Sequence, residues 1–474
     1  MPNQDNRPNF LLIMTDQQRG DCLGIEDHPV LLTPNLDHLA ASGVRFRRAY
    51  STCPVCIPAR RSLMSGQFPT THGMVGYRDG VDWDPPATLP GVLRGAGYQT
   101  GIVGRCMHLH PFRKRYGFDH MVISGGPDDD YRHWLDIRQP EGANGPRGAG
   151  MQVSSRIARP WHMAEHLHYT NWTINQALRH GQTLDPTCPF FLVVSFIAPH
   201  PPFNPPAFYF DRYLRQPVHE PVIGDWATPP PNDGKGAGAE SYDVNLTGEQ
   251  LRSCRAAYYG LINHIDDLVS LLFKDTAGGL PSERLRRTVT IFTSDHGEML
   301  GDHYMFRKCR PFEGSARVPL IIHSGDLVDL DIQPGHVPDR PVCLEDIMPT
   351  VLEIAGLEVP PSVDGSSLRP LLSGGPEPRD WRPHLHGECT PFEHYLTDGQ
   401  EKYIWNPSDG RELLFDLVRD PNELLDLASR PGQAERLGVW RNRLIEQLKG
   451  RPEGFTDGES LISGRKQRVM VDAD

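Results

Sequence analysis

Two short apolar runs in the chain are each followed by side chains that could bind a divalent cation. The runs cover residues 9–15 and 288–294, and their length and composition are typical of buried parallel strands. The polar residues that follow them are Asp16, Gln17, Asp295 and His296. A single Asp after a strand is more often a turn former than a ligand. Because the construction occurs twice, and because ligands bind beyond the carboxyl ends of parallel strands, the pattern predicts one cation site of oxygen donors and an imidazole.

A separate segment supplies a candidate nucleophile. Cys56 begins the sequence Cys-Ile-Pro-Ala-Arg, which ends at Arg60. Taken alone, Cys56 could be a small buried thiol, the usual state of a free cysteine. The form Cys-x-Pro-x-Arg resembles the signature of the sulfatase family, and the resemblance implies that a formylglycine-generating enzyme oxidises Cys56 to formylglycine (3-oxoalanine). The hydrated aldehyde has two hydroxyls, one to attack sulfur or phosphorus and one to expel the product.

The resemblance also implies a complete metal site. A divalent metal, Ca²⁺ in the first place and Mn²⁺, Mg²⁺ or Zn²⁺ as alternatives, is expected to bind an oxygen of modified Cys56 together with the strand-end residues. Those residues are Asp16, Gln17, Asp295 and His296. Gln17 stands where many sulfatases have a second Asp. Arg60 is expected to help the metal hold the attacking oxygen.

Further residues match positions that bind the anionic ester or act on it in sulfatases. His200, in the segment Pro-His-Pro-Pro, matches the histidine that hydrogen-bonds or protonates the leaving oxygen. Lys308 matches a lysine that binds the transferred group, and either His200 or Lys308 could stabilise the departing alcohol. Arg105 replaces the lysine of a Gly-Lys-x-His segment; Arg can bind a sulfuryl group through two hydrogen bonds, whereas Lys is a point charge. His108 would be the base that releases sulfate from the enzyme, although His110 competes for this assignment.

The resemblance extends over nearly the whole chain, with further matches at 33–40, 346–352 and 414–423. It implies an alkaline-phosphatase-like α/β fold, in which a large domain has a mostly parallel central sheet flanked by helices. A small α+β C-terminal domain would carry an antiparallel sheet. The alternation of strand and helix patterns also favours a parallel sheet. A Gly- and Pro-rich stretch breaks this alternation, so we predict a catalytic domain at 1–375 and a C-terminal domain at 376–474.

Two long stretches, 125–160 and 201–248, are rich in Pro, Gly, Asp and Asn and have no clear periodicity. Irregular segments of this length within a compact domain are usually functional loops or disordered. We expect both to form walls around the substrate, because each follows an element that leads toward the predicted site. The candidate contacts are His162, His166, His168 and Trp226. For any one of them, an ordinary position on a mobile surface loop is the commoner role.

Composition argues against several classes of protein. The formal net charge of −12 is unsuited to nucleic-acid binding, which needs a basic face. The longest apolar runs are shorter than the 18 residues of a membrane span, so no membrane partner is expected. Nine cysteines without a disulfide framework, and a polar stretch at 1–8 without a leader pattern, favour a cytoplasmic bacterial protein.

Two alternatives to a hydrolase were considered. Cys53 and Cys56 form a Cys-x-x-Cys pair, as in a thiol redox site or a structural zinc module, but the sequence has no second pair to complete a zinc site. An inactive binding protein on the same scaffold would not need the nucleophile, both metal carboxylates, His200 and Lys308, which are all present.

The expected activity is therefore hydrolysis of a sulfate ester to an alcohol and inorganic sulfate. The substrate would be an oligosaccharide or a small molecule, and carbohydrate, aryl and small alkyl sulfates all fit. Hydrolysis of a phosphonate monoester or phosphate diester at the same site is the alternative. The identity of the alcohol and the oligomeric state stay open.

Overall fold

The computed structural model describes residues 7–106, 110–126, 128–231, 238–275 and 278–471. Its strands in chain order are β1 (Asn9–Asp16), β2 (Val44–Arg45), β3 (Ala49–Tyr50), β4 (Gln99–Arg105), β5 (His120–Ser124), β6 (Phe190–Pro199), β7 (Thr288–Ser294), β8 (Leu320–Ser324), β9 (Val342–Cys343), β10 (Leu385–Glu388), β11 (His394–Thr397), β12 (Glu401–Trp405) and β13 (Glu412–Asp416). A central sheet has the order β2-β8-β7-β1-β6-β4-β5. Its pairs β7–β1, β1–β6, β6–β4 and β4–β5 are parallel, and β8 is antiparallel to both neighbours. The sheet is therefore mostly parallel, as predicted.

Helices cover both faces of this sheet. They are α1 (Pro34–Ala41), α2 (Cys56–Ser65), α3 (Leu89–Gly95), α4 (Asp130–Asp136), α5 (Tyr169–Thr183), α6 (Ala207–Leu214), α7 (Gly248–Val269), α8 (Ser282–Arg286), α9 (Glu313–Ala316), α10 (Ile347–Ile354) and α11 (Ala434–Leu448). Side chains alternate across a strand, so Leu11 and Ile13 of β1 join one apolar cluster with residues of α5 and α7. Phe10, Leu12 and Met14 join a second cluster with residues of α2, α3 and α10. A strand with both faces covered must be apolar throughout, which explains the continuous apolar run.

The C-terminal part forms a separate antiparallel sheet in the order β10-β11-β12-β13. One face of this sheet packs against α11, where Trp440 and Leu444 meet Tyr403 and Leu414. Its other face packs against earlier parts of the chain through an apolar cluster that includes Phe415, Trp226 and Phe312. The predicted fold class is confirmed, while the exact boundary at residue 375 stays a prediction.

The two stretches expected to be irregular are partly helical. α4 lies within 125–160 and α6 lies within 201–248. The expectation was wrong at these points because each helix is short, eight residues or fewer, so it shows too few repeats of a helical period to be recognised. Among the described residues, no helix is long and apolar enough to cross a membrane.

Candidate active site

Adjacent strands bring the two predicted metal carboxylates together. Thr15 of β1 pairs with Ser294 of β7, so Asp16 and Asp295 follow at the same edge of the sheet. Both carboxylates are fully buried. Gly297 is required just beyond them, because a Cβ atom there would lie 2.0 Å from the carbonyl oxygen of Gly314. The glycine after this strand therefore allows a close approach of two backbones.

Helix α2 delivers Cys56 to the same edge. Cys56 is the first residue of the helix, and Ala59, Leu63 and Met64 of the same helix pack against the sheet. The Cys56 Sγ atom lies 3.3 Å from His296 Nε2 and 3.7 Å from Asp16 Oδ1. If Cys56 is converted to formylglycine, as predicted from the sequence, an oxygen takes the place of this sulfur. The packing of α2 thus determines the position of Cys56, the candidate nucleophile.

The residues around Cys56 form a donor set suited to a divalent metal. One ligand atom from each of four buried residues lies within 4.8 Å of all the others. The four residues are Asp16, Cys56, Asp295 and His296. Two carboxylates, an imidazole and an oxygen at the position of Cys56 fit Ca²⁺ or Mg²⁺ and admit Mn²⁺ or Zn²⁺.

Gln17 lies beside this set and makes other contacts in the structure. Its backbone is in the left-handed region, with φ of 73°, and its N–H donates to Asp295 Oδ1 over 3.0 Å. Its side-chain Oε1 accepts from Lys308 Nζ at 2.9 Å, and its Nε2 donates to Glu298. These bonds orient Gln17 toward Lys308, and its role as a metal ligand stays a prediction.

Arg60 is buried between the two carboxylates. Its Nε donates to Asp295 Oδ2 over 2.8 Å, and an Nη atom donates to Asp16 Oδ2 over 3.0 Å. The other Nη donates to Ser195 Oγ over 3.1 Å. The guanidinium therefore fixes the spacing of the two carboxylates. The sequence had predicted a role for Arg60 at the attacking oxygen but not these two hydrogen bonds.

Lys308 contacts the candidate nucleophile, Cys56, directly. Its Nζ lies 2.9 Å from Cys56 Sγ, and the lysine is 5% exposed. Burial and the Asp16 carboxylate raise the pKa of the Cys56 thiol, but Lys308, His296 and a hydrogen bond from His200 outweigh them, so this pKa is held well below its usual range. The surroundings of Cys56 therefore favour a negatively charged group.

Arg105 and His200 complete the cationic side of the site. Arg105 Nε lies 2.5 Å from Asp16 Oδ2. The side chains of Arg105 and His200 also hydrogen-bond to the Cys56 sulfur. His200 Nδ1 lies 2.6 Å from the carbonyl oxygen of Pro201, so Nε2 is the nitrogen free to face the site. His108 lies outside the described residues.

The two carboxylates differ in their electrostatic surroundings. Burial raises the pKa of Asp16, but Arg105, His200 and Arg60 together hold it well below the usual range. Burial and the nearby Asp16 charge raise the pKa of Asp295. Two buried carboxylates at this separation repel each other, so a bound cation would stabilise the arrangement.

Three residues in or near the site were not predicted from the sequence. Ser195 interrupts the apolar run of β6 and binds Arg60, while Glu298 accepts hydrogen bonds from Gln17 and from the backbone of Leu300. Tyr77 is half exposed, and its hydroxyl interacts electrostatically with Cys56 and Lys308. Ser195 could have been singled out from the sequence, because it is a polar residue within an apolar strand.

The expected contacts in the long segments are partly wrong. Trp226 is buried, stacks on Phe312 with ring centroids 4.5 Å apart, and donates its Nε1–H to the backbone of Glu423. Its ring packs against Phe312 and against Phe415 of β13, because a large ring gains more from apolar contact than from solvent. His168 is buried as the N-cap of α5, where its Nδ1 accepts from Thr170 N. Neither is available to a substrate.

Comparisons with known proteins agree with this geometry. A family model described as Sulfatase matches residues 8–357, most of the chain. The chain belongs to the sulfatase family. A second model, described as N-sulphoglucosamine sulphohydrolase, C-terminal, matches residues 301–450 of this sulfatase.

The sulfatase has similar relatives along its whole length. It is 39% identical to an arylsulfatase of Clostridium perfringens (strain 13 / Type A), with 97% of this chain and 98% of the relative covered. It is 31% identical to a choline-sulfatase of Rhizobium meliloti (strain 1021), with 90% and 83% covered. The solved structure of a phosphonate monoester hydrolase of Agrobacterium radiobacter has a TM-score of 0.74 at 27% identity, with 93% and 95% covered. The sulfatase is a sulfuric ester hydrolase with the fold of the alkaline phosphatase superfamily.

Proposed function

We propose that this sulfatase hydrolyses a carbohydrate, aryl or small alkyl sulfate through formylglycine at Cys56 and one divalent metal, Ca²⁺ in the first place. The observation that carries the proposal is the position of Cys56 Sγ, which lies 2.9 Å from Lys308 Nζ and within the metal-ligand set. The hydrated aldehyde would supply a nucleophilic hydroxyl and a second hydroxyl for product release.

The metal would be held by Asp16, Asp295, His296 and an oxygen at position 56, with Gln17 as a fifth candidate. A metal bound there supplies positive charge that stabilises an attacking oxygen anion. Arg60 would keep the carboxylates at the spacing needed for binding, since it donates to both. The formylglycine-generating enzyme is the proposed maturation partner.

The other site residues would act on the ester group. Lys308 and Arg105 donate to the non-bridging oxygens of the sulfuryl group and balance the charge that develops on them. His200, held through its Nδ1 by Pro201, would donate from Nε2 to the leaving oxygen. His108 keeps its proposed role as the base for product release.

A phosphonate monoester or phosphate diester is the second candidate substrate. It is favoured by the likeness to the Agrobacterium radiobacter phosphonate monoester hydrolase and by 30% identity to a multifunctional alkaline phosphatase superfamily protein of Trinickia caryophylli. Both candidates would use the same nucleophile, so only turnover separates them.

We expect sulfate esters to be the better substrates. A sulfate group presents three non-bridging oxygens to the buried donors, whereas a phosphonate presents two and an apolar carbon, which leaves one donor without an acceptor. An unmatched buried donor costs about 1–3 kcal/mol, so kcat/KM should be higher for the sulfate by about tenfold to a hundredfold. The measurement compares an aryl sulfate with the corresponding aryl phenylphosphonate on one aldehyde-containing preparation. A higher kcat/KM for the phosphonate would replace the proposal with the second candidate.

Lys308→Ala is expected to lower kcat/KM for every sulfate ester by about 10²–10³-fold, the usual effect of removing one oxyanion donor. The loss should not depend on the alcohol, because Lys308 contacts the nucleophile and would bind the group that all substrates share. Lys449→Ala is the matched control, since Lys449 is an exposed lysine paired with Glu446 on α11. A loss confined to one alcohol would mean that Lys308 binds the alcohol and not the sulfuryl group.

A further inference from the structure

A pocket of about 130 Å³ opens directly beside two residues of the candidate active site, Arg105 and His200. Val153, Ile197 and Pro202 give it apolar walls. Since the leaving oxygen is expected at His200, a group attached to that oxygen would lie close to this pocket. The pocket is therefore placed to hold the alcohol part of the substrate.

Two arginines line the same pocket and are exposed to solvent. Arg132 belongs to α4, and Arg147 lies in the segment that follows it. Within the described ranges, neither guanidinium forms a hydrogen bond or an ion pair. By contrast, the neighbouring Arg113 binds Asp130 at 2.8 Å. Arg132 and Arg147 are therefore available to bind an anion that enters the pocket.

The acidic group in the pocket does not balance these charges. Among the lining residues, the carboxylate is that of Asp129, which caps α4 by accepting from the backbone N–H of Arg132 at 2.7 Å. It also accepts from the backbone N–H of Gly126 at 2.9 Å. This carboxylate interacts with the charge of Arg132, and Arg147 adds a second positive charge that it does not balance. The pocket therefore has a net positive charge in a chain whose total charge is −12.

The aromatic residues of the pocket contribute apolar faces. Tyr131 donates its hydroxyl to the carbonyl oxygen of Leu167, and Tyr169 donates to Asn204 Oδ1. Their hydroxyls are thus already bonded within the protein. Apolar rings near two arginines suit a flat or ring-shaped alcohol with a negatively charged substituent, and they suit a quaternary ammonium alcohol poorly because the arginines would repel it.

We propose that this pocket binds the alcohol part of the substrate, and that Arg132 and Arg147 select alcohols bearing a second anionic group, a carboxylate or another sulfate, over neutral or cationic alcohols. The proposal rests on the proposed function, because it concerns the specificity of the same site. Exposed charge pairs are individually weak, so the two arginines together should give a preference of about tenfold.

The test compares 4-carboxyphenyl sulfate with 4-carbamoylphenyl sulfate, which have nearly the same size. The ratio of their kcat/KM values is measured for the wild-type protein and for the double variant Arg132→Gln/Arg147→Gln. Leaving-group reactivity cancels when the two ratios are compared. We expect the ratio to fall about tenfold in the double variant, mainly because kcat/KM for the carboxylated compound falls. Arg179→Gln, an exposed arginine of α5 beside another pocket, is the matched control.

A second arm replaces the carboxylate by a second sulfate, using 1,4-phenylene disulfate, and so separates the two anionic sources. A preference for either anion that is lost in the double variant supports the proposal. The proposal would be overturned if, for both anionic compounds, the ratio of kcat/KM to that of the carbamoyl compound were the same in the wild-type protein and in the double variant.

Binding to Cys56→Ala by calorimetry keeps the two proposals separate. This variant should not turn over the ester, so the affinity for each compound can be measured directly. If no sulfate ester is hydrolysed by aldehyde-containing wild-type protein, the proposed function fails, while tighter binding of the carboxylated compound would still support the pocket assignment. Equal affinities for the carboxylated and carbamoyl compounds would contradict it.

Discussion

Cys56→Ala is expected to lower kcat on any sulfate ester by at least about 10⁴-fold, since removing a covalent nucleophile leaves only binding and charge stabilisation. The protein should stay folded, because the change removes one sulfur atom from a buried helix start and leaves only a small cavity. The measurements are steady-state turnover, the thermal midpoint of unfolding, and mass spectrometry of the peptide that contains residue 56. Wild-type protein made with the formylglycine-generating enzyme should show the aldehyde mass.

Cys53→Ala is the matched control for this change. Cys53 is also a buried cysteine close to α2, but its neighbours are Val55, Cys309 and Cys389 and not the metal-ligand set. It should keep turnover close to the wild-type value. Full activity in protein whose Cys56 is entirely unmodified would rule out the formylglycine mechanism.

Asp295→Asn is expected to reduce metal affinity by at least about 10²-fold, because the change removes a full charge from a ligand in a site of hard donors. Turnover should fall with metal content, and a chelator should have the same effect on the wild-type protein. Metal content is measured by elemental analysis after dialysis, and activity is measured before and after Ca²⁺ is restored. The side chains have the same shape, so the loss should not reflect unfolding.

Asp266→Asn tests whether any buried carboxylate would behave in this way. Asp266 is buried and accepts hydrogen bonds from Leu36 N and from Asn35 at the start of α1, away from the candidate metal site. Its replacement should lower stability but leave metal content unchanged. Retention of both metal and turnover in Asp295→Asn would show that the cation does not bind at the end of β7.

Much of the fold was predictable because its signals are local. The run before Asp16 and the run before Asp295 are apolar throughout, and only strands covered on both faces need that pattern. Helices α7 and α11 are long enough to repeat a helical period several times, and such repetition is visible in a sequence. Short helices such as α4 and α6 lacked that repetition, so their segments were expected to be irregular.

Much of the candidate site could also be predicted, again because its signals are local in the sequence. Strand ends of a parallel sheet meet at one edge, so Asp16 and Asp295 could be placed together without a structure. The motif around Cys56 and the position of Lys308 depend on residue types and spacing along the chain. These features can be read directly from the sequence, because a motif and its spacing along the chain do not depend on how the chain folds.

The tertiary structure alone decided which partner each side chain has. Arg60 donates to Asp16 and Asp295, Gln17 accepts from Lys308, and Trp226 is buried against Phe312 and Phe415. Each of these contacts joins segments that are distant in the chain, and several donors or acceptors of the right type compete for every such partner. Sequence identifies the chemical groups, but only the packing of strands and helices fixes their distances, and hydrogen bonds and charge interactions depend on those distances.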